Sequence, residues 1–222
     1  MLEQYPYGWW SCSYTVSPVD DPPSLVAFRN ILKEIKGHET GWPVWLSLDT
    51  TPAMTPHVLG DVIECWLLDT EDADFWRADP KGQMFLLRRF QEDTGEIKGI
   101  EPGQVFDLTL PIWRTGECLL HASRLAARLG AQHAEFAMAW HGLEGRELRT
   151  VASRGRRTPL FPGHICHEDE VRTTVETEAA AISDTLPELV KSLTAPLFAR
   201  FDFFEVQDEF YAAEISEMRT GL

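Results

Sequence analysis

The sequence has no run of about 20 apolar residues, the length that a membrane-spanning helix needs. Its first residues, MLEQYPYGWW, lack the basic and apolar segments of a secretory signal. Cysteine is scarce and has no CxxC spacing; it occurs at Cys12, Cys65, Cys118 and Cys166. We therefore expect a cytoplasmic protein with reduced thiols that does not enter a membrane.

Sequence motifs for common reactions are also missing. The chain has no GxSxG elbow, P-loop, GxGxxG turn or HExxH pair. The usual signals for serine hydrolases, nucleotide binding and zinc proteases are therefore not found. We expect no cofactor, and the lack of these motifs favours a non-catalytic protein over an enzyme.

The sequence has few positively charged residues: 20 Lys and Arg compared with 35 Asp and Glu, which gives a net charge of −15. Nucleic-acid binding depends on cations that displace counterions, so we expect no direct binding to nucleic acid. Residues 145–159 are a basic exception, either a solvated hairpin paired with nearby acids or a contact patch for a phosphate or an acidic partner. The arginines of this segment are Arg146, Arg149, Arg154, Arg156 and Arg157.

Apolar periodicity indicates a protein of mixed helices and strands. Aromatic and β-branched content and period-two alternation predict strands over residues 9–16, 61–68, 83–90, 104–114, 134–140, 146–153 and 170–178, and residues 42–48 are also predicted to be extended. Helical spacing predicts a helix capped by Ser24, a helix over 115–130 between Thr115 and Gly130, and C-terminal helices over 184–219.

The connections between these elements carry three finer predictions. Asp79 to Gly82 suits a type I turn, and residues 74–77 before it suit a short turn or helical segment. The strands over 134–140, 146–153 and 170–178 are expected to pair as an antiparallel meander.

The order strand, helix, three strands occurs over about 9–90 and again over about 104–178. We therefore predict a single α+β domain over 1–222, with antiparallel sheets and packed helices. The repeated order suggests a pseudo-duplicated strand–helix–three-strand unit, with two similar halves and two sheet units, followed by the C-terminal helices.

Several residues together predict a ligand pocket. Glu64 interrupts an apolar strand, so its carboxylate either faces a cavity walled by indole rings or simply points outward from a half-exposed strand. The carboxylate in such a cavity would suit a cationic or hydrogen-bonding ligand. Phe75 and Trp76 either plug the core or form an aromatic ligand wall with Arg77. The candidate pocket residues are Glu64, Trp66, Trp76, Arg77, Trp113 and Arg114.

Two other groups of residues are weak candidates for chemistry. His164 and Cys166 would share one face of a strand and are possible metal ligands, but no second ligand pair stands near them in the sequence. Cys118 and His121 have the spacing of helical neighbours, as a nucleophile and base would need. Cys118 also falls on an apolar stripe, where a free cysteine usually acts as a small hydrophobe.

Five segments of the sequence carry a family resemblance: GHETGWPVWLSL, IECWL, ADFWRADPKGQMFLLRRFQED, GQVFDLTLPIWRTGECLLHASRLAARLG and DTLPELVKSLTAPLFARFDFFE. Together they resemble the C-terminal region of bacterial ATP-binding proteins that carry a Schlafen-type AlbA-like domain. The resemblance covers residues 5 to 205, roughly, and does not include the AlbA-like domain itself. It implies a bacterial, cytoplasmic, regulatory or anti-phage setting, and it transfers no ATP, DNA or nuclease function to any residue.

Three functions remain open at this point. The first is a non-catalytic sensing or interaction module that binds a protein partner within a larger assembly. The second is a small-molecule effector-binding domain with a GyrI-like architecture, which the repeated order of elements suggests. The third is a hydrolase.

Overall fold

The computed structural model describes residues 7–37, 39–40, 43–45, 54–68, 73–95, 99–151 and 162–220. The strands in these ranges are β1 (Trp9–Ser17), β2 (His57–Leu59), β3 (Val62–Leu68), β4 (Ala73–Ala78), β5 (Gln83–Arg89), β6 (Val105–Asp107), β7 (His133–His141), β8 (Glu147–Arg149) and β9 (Glu170–Glu178). The helices are α1 (Leu25–Glu34), α2 (Thr109–Leu129), α3 (Leu186–Ala199) and α4 (Asp208–Thr220). None of the described helices combines the length and the apolar content needed to cross a membrane.

The centre of the fold is a seven-stranded antiparallel sheet in the order β2-β3-β4-β5-β1-β7-β9. The remaining strands, β6 and β8, pair in parallel as a separate two-stranded sheet. The predicted α+β class is therefore confirmed. Strands from both predicted halves join the one large sheet, so the described residues do not form the two separate antiparallel sheet units that the repeated order suggested.

Helices cover one face of the large sheet, which we call the inner face. Every second residue of β1 is buried there: Trp10, Cys12, Tyr14 and Val16. These residues share one hydrophobic cluster with residues of all four described helices, including Phe28, Leu125, Leu193 and Ile215. Because the alternate β1 residues are only half-buried, the strand has one core face and one face directed away from the helices.

The helix α2 starts earlier than the sequence predicts. The predicted strand over 104–114 ends at Asp107, whose buried carboxylate accepts the backbone N–H groups of Thr109 at 2.7 Å and Leu110 at 2.8 Å. These bonds satisfy donors that have no partner within the helix, so Asp107 supplies the N-terminal cap. Thr115, the predicted cap, is instead a buried residue inside α2.

Two predictions about connections in the first half have opposite outcomes. Residues 74–77 are not a turn or helical segment, since they lie in β4 and pair with both β3 and β5. The turn at Asp79 to Gly82 is present, and the Gly82 N–H donates to the Asp79 carbonyl oxygen at 2.9 Å. This turn joins β4 to β5 as a hairpin. Of the predicted extended segment 42–48, the structure describes only residues 43–45, and these do not lie in a strand.

The predicted meander in the second half is wrong. The neighbours of β7 in the sheet are β1 and β9, whereas β8 pairs with β6. Alternation within a strand reports which residues face the core, but it does not name the neighbouring strand. Pairing is therefore decided by contacts between distant segments.

Gly130 gives a direct test of how α2 ends. Its φ is 72°, in the left-handed region, and a β-carbon at this position would meet no atom within 4 Å. We expect Gly130→Ala to lower the free energy of unfolding by about 1 kcal/mol, because the backbone conformation alone opposes the new side chain. Gly130→Asn should cost less, since asparagine adopts this conformation more readily. Urea denaturation measures both losses, and an alanine variant as stable as the native protein would contradict the prediction.

Candidate functional site

The sheet face directed away from the helices, here called the outer face, carries rows of side chains that cross the strands. Directly paired residues on neighbouring strands point to the same side of a sheet. One row consists of Trp66, Phe75, Leu87, Ser11, Ala139 and Arg172. The next row consists of Glu64, Arg77, Phe85, Ser13, Ala137 and Thr174.

The outer face is apolar over β3, β4 and β5. Phe75 and Leu87 are buried there, and Trp9, Trp66 and Phe85 pack around them while half-buried. The ring centroids of Trp66 and Phe75 are 4.4 Å apart. This cluster includes no residue of a described helix, so the strands alone build an aromatic surface that is partly open to solvent.

A groove of about 630 Å³ adjoins this aromatic surface and shares Phe85 with it. Small side chains from the central strands line it, namely Ser13, Thr15 and Ala137. Polar and charged side chains also line it, namely Arg77, Gln83, Glu135, Thr174 and Glu176. Its volume is in the range of about 300–1,000 Å³ typical of ligand sites.

Three of the predicted pocket residues, Glu64, Trp66 and Arg77, lie together on the outer face. Arg77 donates from Nε at 3.0 Å and from Nη2 at 2.7 Å to Oε2 of Glu64. His57 Nε2 lies 3.2 Å from the other carboxylate oxygen. The Arg77 side chain is 50% exposed, so the pair adds little stability, but it holds the Arg77 guanidinium beside the groove that this residue lines.

The other three predicted pocket residues lie on the helix side of the sheet. Trp76 is buried on the inner face, opposite in direction to its neighbour Arg77. Trp113 is buried in α2 and donates from Nε1 to Glu214 at 3.0 Å. Arg114 is half-buried and donates to Glu117 at 2.8 Å. Successive strand residues point to opposite faces, and the other two residues lie on α2, so these six residues do not line one pocket.

The basic segment divides in a similar way. The Arg146 side chain has no exposed surface and donates to both carboxylate oxygens of Asp93, at 2.9 and 2.6 Å, and to the Val105 carbonyl at 2.8 Å. Arg146 is therefore an interior residue and not part of a surface patch. Arg149 is exposed and pairs with Glu147. Arg154, Arg156 and Arg157 lie outside the described residues.

Cys118 and His121 both lie in the core. His121 Nδ1 is 2.7 Å from the Tyr14 hydroxyl, and its ring stacks on Trp45 with centroids 4.6 Å apart. Burial, helped by the charge of Arg124, lowers the pKa of His121 to about 3. Burial also raises the pKa of the Cys118 thiol and of Tyr14. These groups are therefore uncharged near neutral pH and pack as interior residues.

The weak metal candidates make other contacts. His164 Nδ1 lies 3.0 Å from the carbonyl oxygen of Phe201. Cys166 is buried, and its Sγ donates to the carbonyl oxygen of Glu168 at 3.2 Å. Within the described ranges, no three His, Cys, Asp or Glu side chains are grouped to hold a metal ion.

The sequence analysis did not identify the small residues of the groove. Ser13 and Thr15 alternate with the buried residues of β1, so the available signal was their place in the strand pattern. That pattern marks such residues only as facing away from the core. Their position at the centre of a sheet follows from the pairing of β1 with β5 and β7.

In comparisons with known proteins, no protein-family model, no curated protein and no solved structure matches this chain.

Proposed function

We propose that this protein is a non-catalytic interaction module that binds a partner protein through the outer face of its large sheet. The observation that carries this proposal is the half-buried aromatic surface of Trp9, Trp66 and Phe85, which no described helix covers. The regulatory or anti-phage setting implied by the family resemblance stays a prediction.

The composition of the outer face supports a protein partner. The centres of protein interfaces are rich in aromatic residues and arginine, and their rims are polar. Here Trp66 and Phe85 stand next to Arg77, and the surrounding positions hold serine, threonine and glutamate. Tryptophan and arginine are also the residues that most often dominate binding energy.

The charges of the outer face argue against a polyanionic partner. Arg77 is paired with Glu64, and Arg172 with Glu170. Glu135 and Glu176 add negative charge along the groove. A surface that binds nucleic acid needs an excess of cations, whereas these paired charges suit the polar rim of a protein interface.

A second candidate, binding of a small effector, is favoured by the volume of the groove, about 630 Å³. For the hydrolase alternative, the thiols offer no support, since all four cysteines are buried. The Tyr14–His121 pair is likewise enclosed in the core.

The proposed interface is tested by placing a photo-crosslinking amino acid at Phe85, in the cells that make the protein. We expect irradiation to join the chain to one discrete protein species. The matched control position is Phe204, a phenylalanine that is 73% exposed on the segment between α3 and α4. Products that are the same at both positions, or no protein product at Phe85, would overturn the proposal.

The partner protein identified by crosslinking is then purified, and its affinity for the unmodified chain measures the contribution of the aromatic surface. We expect Trp66→Ala to weaken its affinity by about tenfold or more, as for a central interface tryptophan. Phe204→Ala should bind like the native protein, and circular dichroism checks that both variants are folded. An unchanged affinity of Trp66→Ala would count against the outer face as the interface.

A further inference from the structure

Two glutamates lie side by side in the part of the outer-face groove nearest the sheet edge at β9. Glu135 of β7 and Glu176 of β9 are directly paired in the sheet, and their exposed side chains both line the groove. We call them the groove glutamates. Their row continues through Thr15 of β1 to Gln83 of β5, and neither of these residues carries a charge. Like charges directly opposite each other destabilise a pair of strands, so the sheet itself gains nothing from this arrangement.

Other glutamates on β9 have basic partners, which the groove glutamates lack among the described residues. Glu170 accepts a hydrogen bond from Arg172, and Glu178 lies 3.3 Å from Nδ1 of His133. Both lie on the same side of β9 as Glu176, because residues two apart on a strand point the same way. On this side of β9, the glutamate without a cation is therefore the one that lines the groove.

The lining of the groove is acidic overall. Its charged residues are Arg77, Asp79 and the groove glutamates, which makes three carboxylates and one guanidinium. The charge of Arg77 is already matched by Glu64. Every lining residue lies in a described strand of the large sheet or in the turn at Asp79. The groove therefore offers negative charge to whatever lies in it.

Phe85 provides an apolar contact on the other side of the groove. It belongs to the aromatic surface and is half-buried. The small side chains of Ser13 and Ala137 lie between Phe85 and the groove glutamates. The sheet order places β5 and β9 three strand spacings apart, about 14 Å. Because an extended chain advances about 3.3–3.6 Å per residue, about four residues cross this distance.

On the basis of the proposed interaction function, we propose that the groove holds an extended basic segment of the partner protein. An apolar side chain of this segment packs against Phe85, and a lysine or arginine about four positions away lies between the groove glutamates. The cation relieves the repulsion between the two carboxylates, which is the charge complementarity that favours one partner over others. The small residues at the centre of the groove leave room for the backbone of the segment.

NMR titration of the full chain with short peptides tests the proposal. The probes are acetyl-FSASK-amide and acetyl-KSASF-amide, which present the apolar and basic side chains in either chain direction. Their matched controls carry glutamate in place of lysine. We expect saturable binding of at least one lysine peptide, at least about tenfold tighter than its glutamate control and weaker at high salt. The backbone N–H signals of Ser13, Ala137 and Thr174 should shift on binding, since these residues line the groove.

Charge-removing variants locate the binding. We expect Glu135→Gln/Glu176→Gln to weaken binding of the preferred lysine peptide by about tenfold or more. Its melting temperature should be no lower than that of the native protein, because the substitution removes a like-charge pair. The control is Glu188→Gln/Glu209→Gln, which makes the same change in charge at exposed positions of α3 and α4 and should bind like the native protein.

Five results would overturn the proposal. Three concern the peptides: no saturable binding of either lysine peptide up to about 10 mM, equal affinity for the glutamate control, and unchanged affinity in the groove-glutamate variant. The fourth is a lower melting temperature of that variant, which would make the two carboxylates structural. The fifth is binding of free spermidine as tight as that of the lysine peptide, which would assign the groove to a polyamine.

The protein crosslinked at Phe85 separates this proposal from the interaction function on which it rests. If Trp66→Ala weakens binding of that protein and the groove-glutamate variant does not, the outer face is the interface but its partner segment is not basic. If Trp66→Ala leaves the binding unchanged, the outer face itself is not the interface.

Discussion

Replacement of Asp93 by alanine is expected to lower the free energy of unfolding by about 3–5 kcal/mol, because it leaves the buried Arg146 guanidinium without its counter-charge. The Arg146 side chain has no exposed surface, and that of Asp93 is 3% exposed. The guanidinium also lies over the Phe90 ring, 4.8 Å from its centroid, so an aromatic ring and not solvent covers one of its faces. Urea denaturation at neutral pH measures the loss.

The control for this prediction is a surface ion pair from the same stretch of sequence. Arg149 pairs with Glu147, but its side chain is 55% exposed. We therefore expect Arg149→Ala to cost about 0–1 kcal/mol. The double variant Asp93→Leu/Arg146→Met should be more stable than Asp93→Ala, since it removes both buried charges together. Similar losses for Asp93→Ala and Arg149→Ala would show that Arg146 is solvated.

The second large effect is a dependence of folding stability on pH, which we expect from Glu92, whose side chain is buried beside Asp107. Burial, and then the charge of Asp107, raise the pKa of Glu92 from 4.5 to about 7. The folded protein therefore holds this proton more tightly than the unfolded chain. Its stabilising contribution is complete below about pH 4.5 and is lost as the pH rises to about 7. At pH 8 the buried carboxylate lowers stability by about 3 kcal/mol relative to its neutral form.

Glu92→Gln removes this titration while keeping an oxygen that can accept the Asp107 N–H, which lies 2.7 Å from Glu92 Oε1. The stability of the variant relative to the native protein should rise by about 2–3 kcal/mol between about pH 5 and pH 8. Urea denaturation of both proteins at the two pH values measures this difference. A difference that does not change with pH would contradict the raised pKa.

The free energy of unfolding of the Glu92 variant must be compared with that of the native protein at each pH, because His121 changes stability with pH in the opposite direction. Its pKa is lowered to about 3, so its stabilising contribution is present above its unfolded value and is lost as the pH falls from about 6.5 toward 3. Over part of this range the effects of Glu92 and His121 cancel in the native protein. Glu144→Gln, at an exposed position, serves as the control and should stay within about 0.5 kcal/mol of native stability at both pH values.

Local patterns in the sequence were sufficient for most of the secondary structure. Ser24 caps α1 through its contact with the Ala27 N–H, as predicted. The strands β1, β3, β5, β7 and β9 fall where alternation placed them. Alternation and capping act within a few residues, so one segment contains the whole signal.

Interactions between distant segments account for what the sequence did not reveal. Arg146 looked like a surface cation because its neighbours in the sequence are basic, and its partner Asp93 is 53 residues away. Asp107 lies in a strand as predicted, but its sequence position did not reveal that its carboxylate caps α2 or that its N–H donates to Glu92. Such partners are brought together only when the sheet and helices assemble.

The sequence by itself determined an acidic α+β chain, with aromatic residues at alternating positions. Only the tertiary structure decided that one sheet face would lack helical cover in the described residues. The physical reason is that periodicity sets the direction of a side chain within its own element, whereas strand order and packing set what that side chain meets.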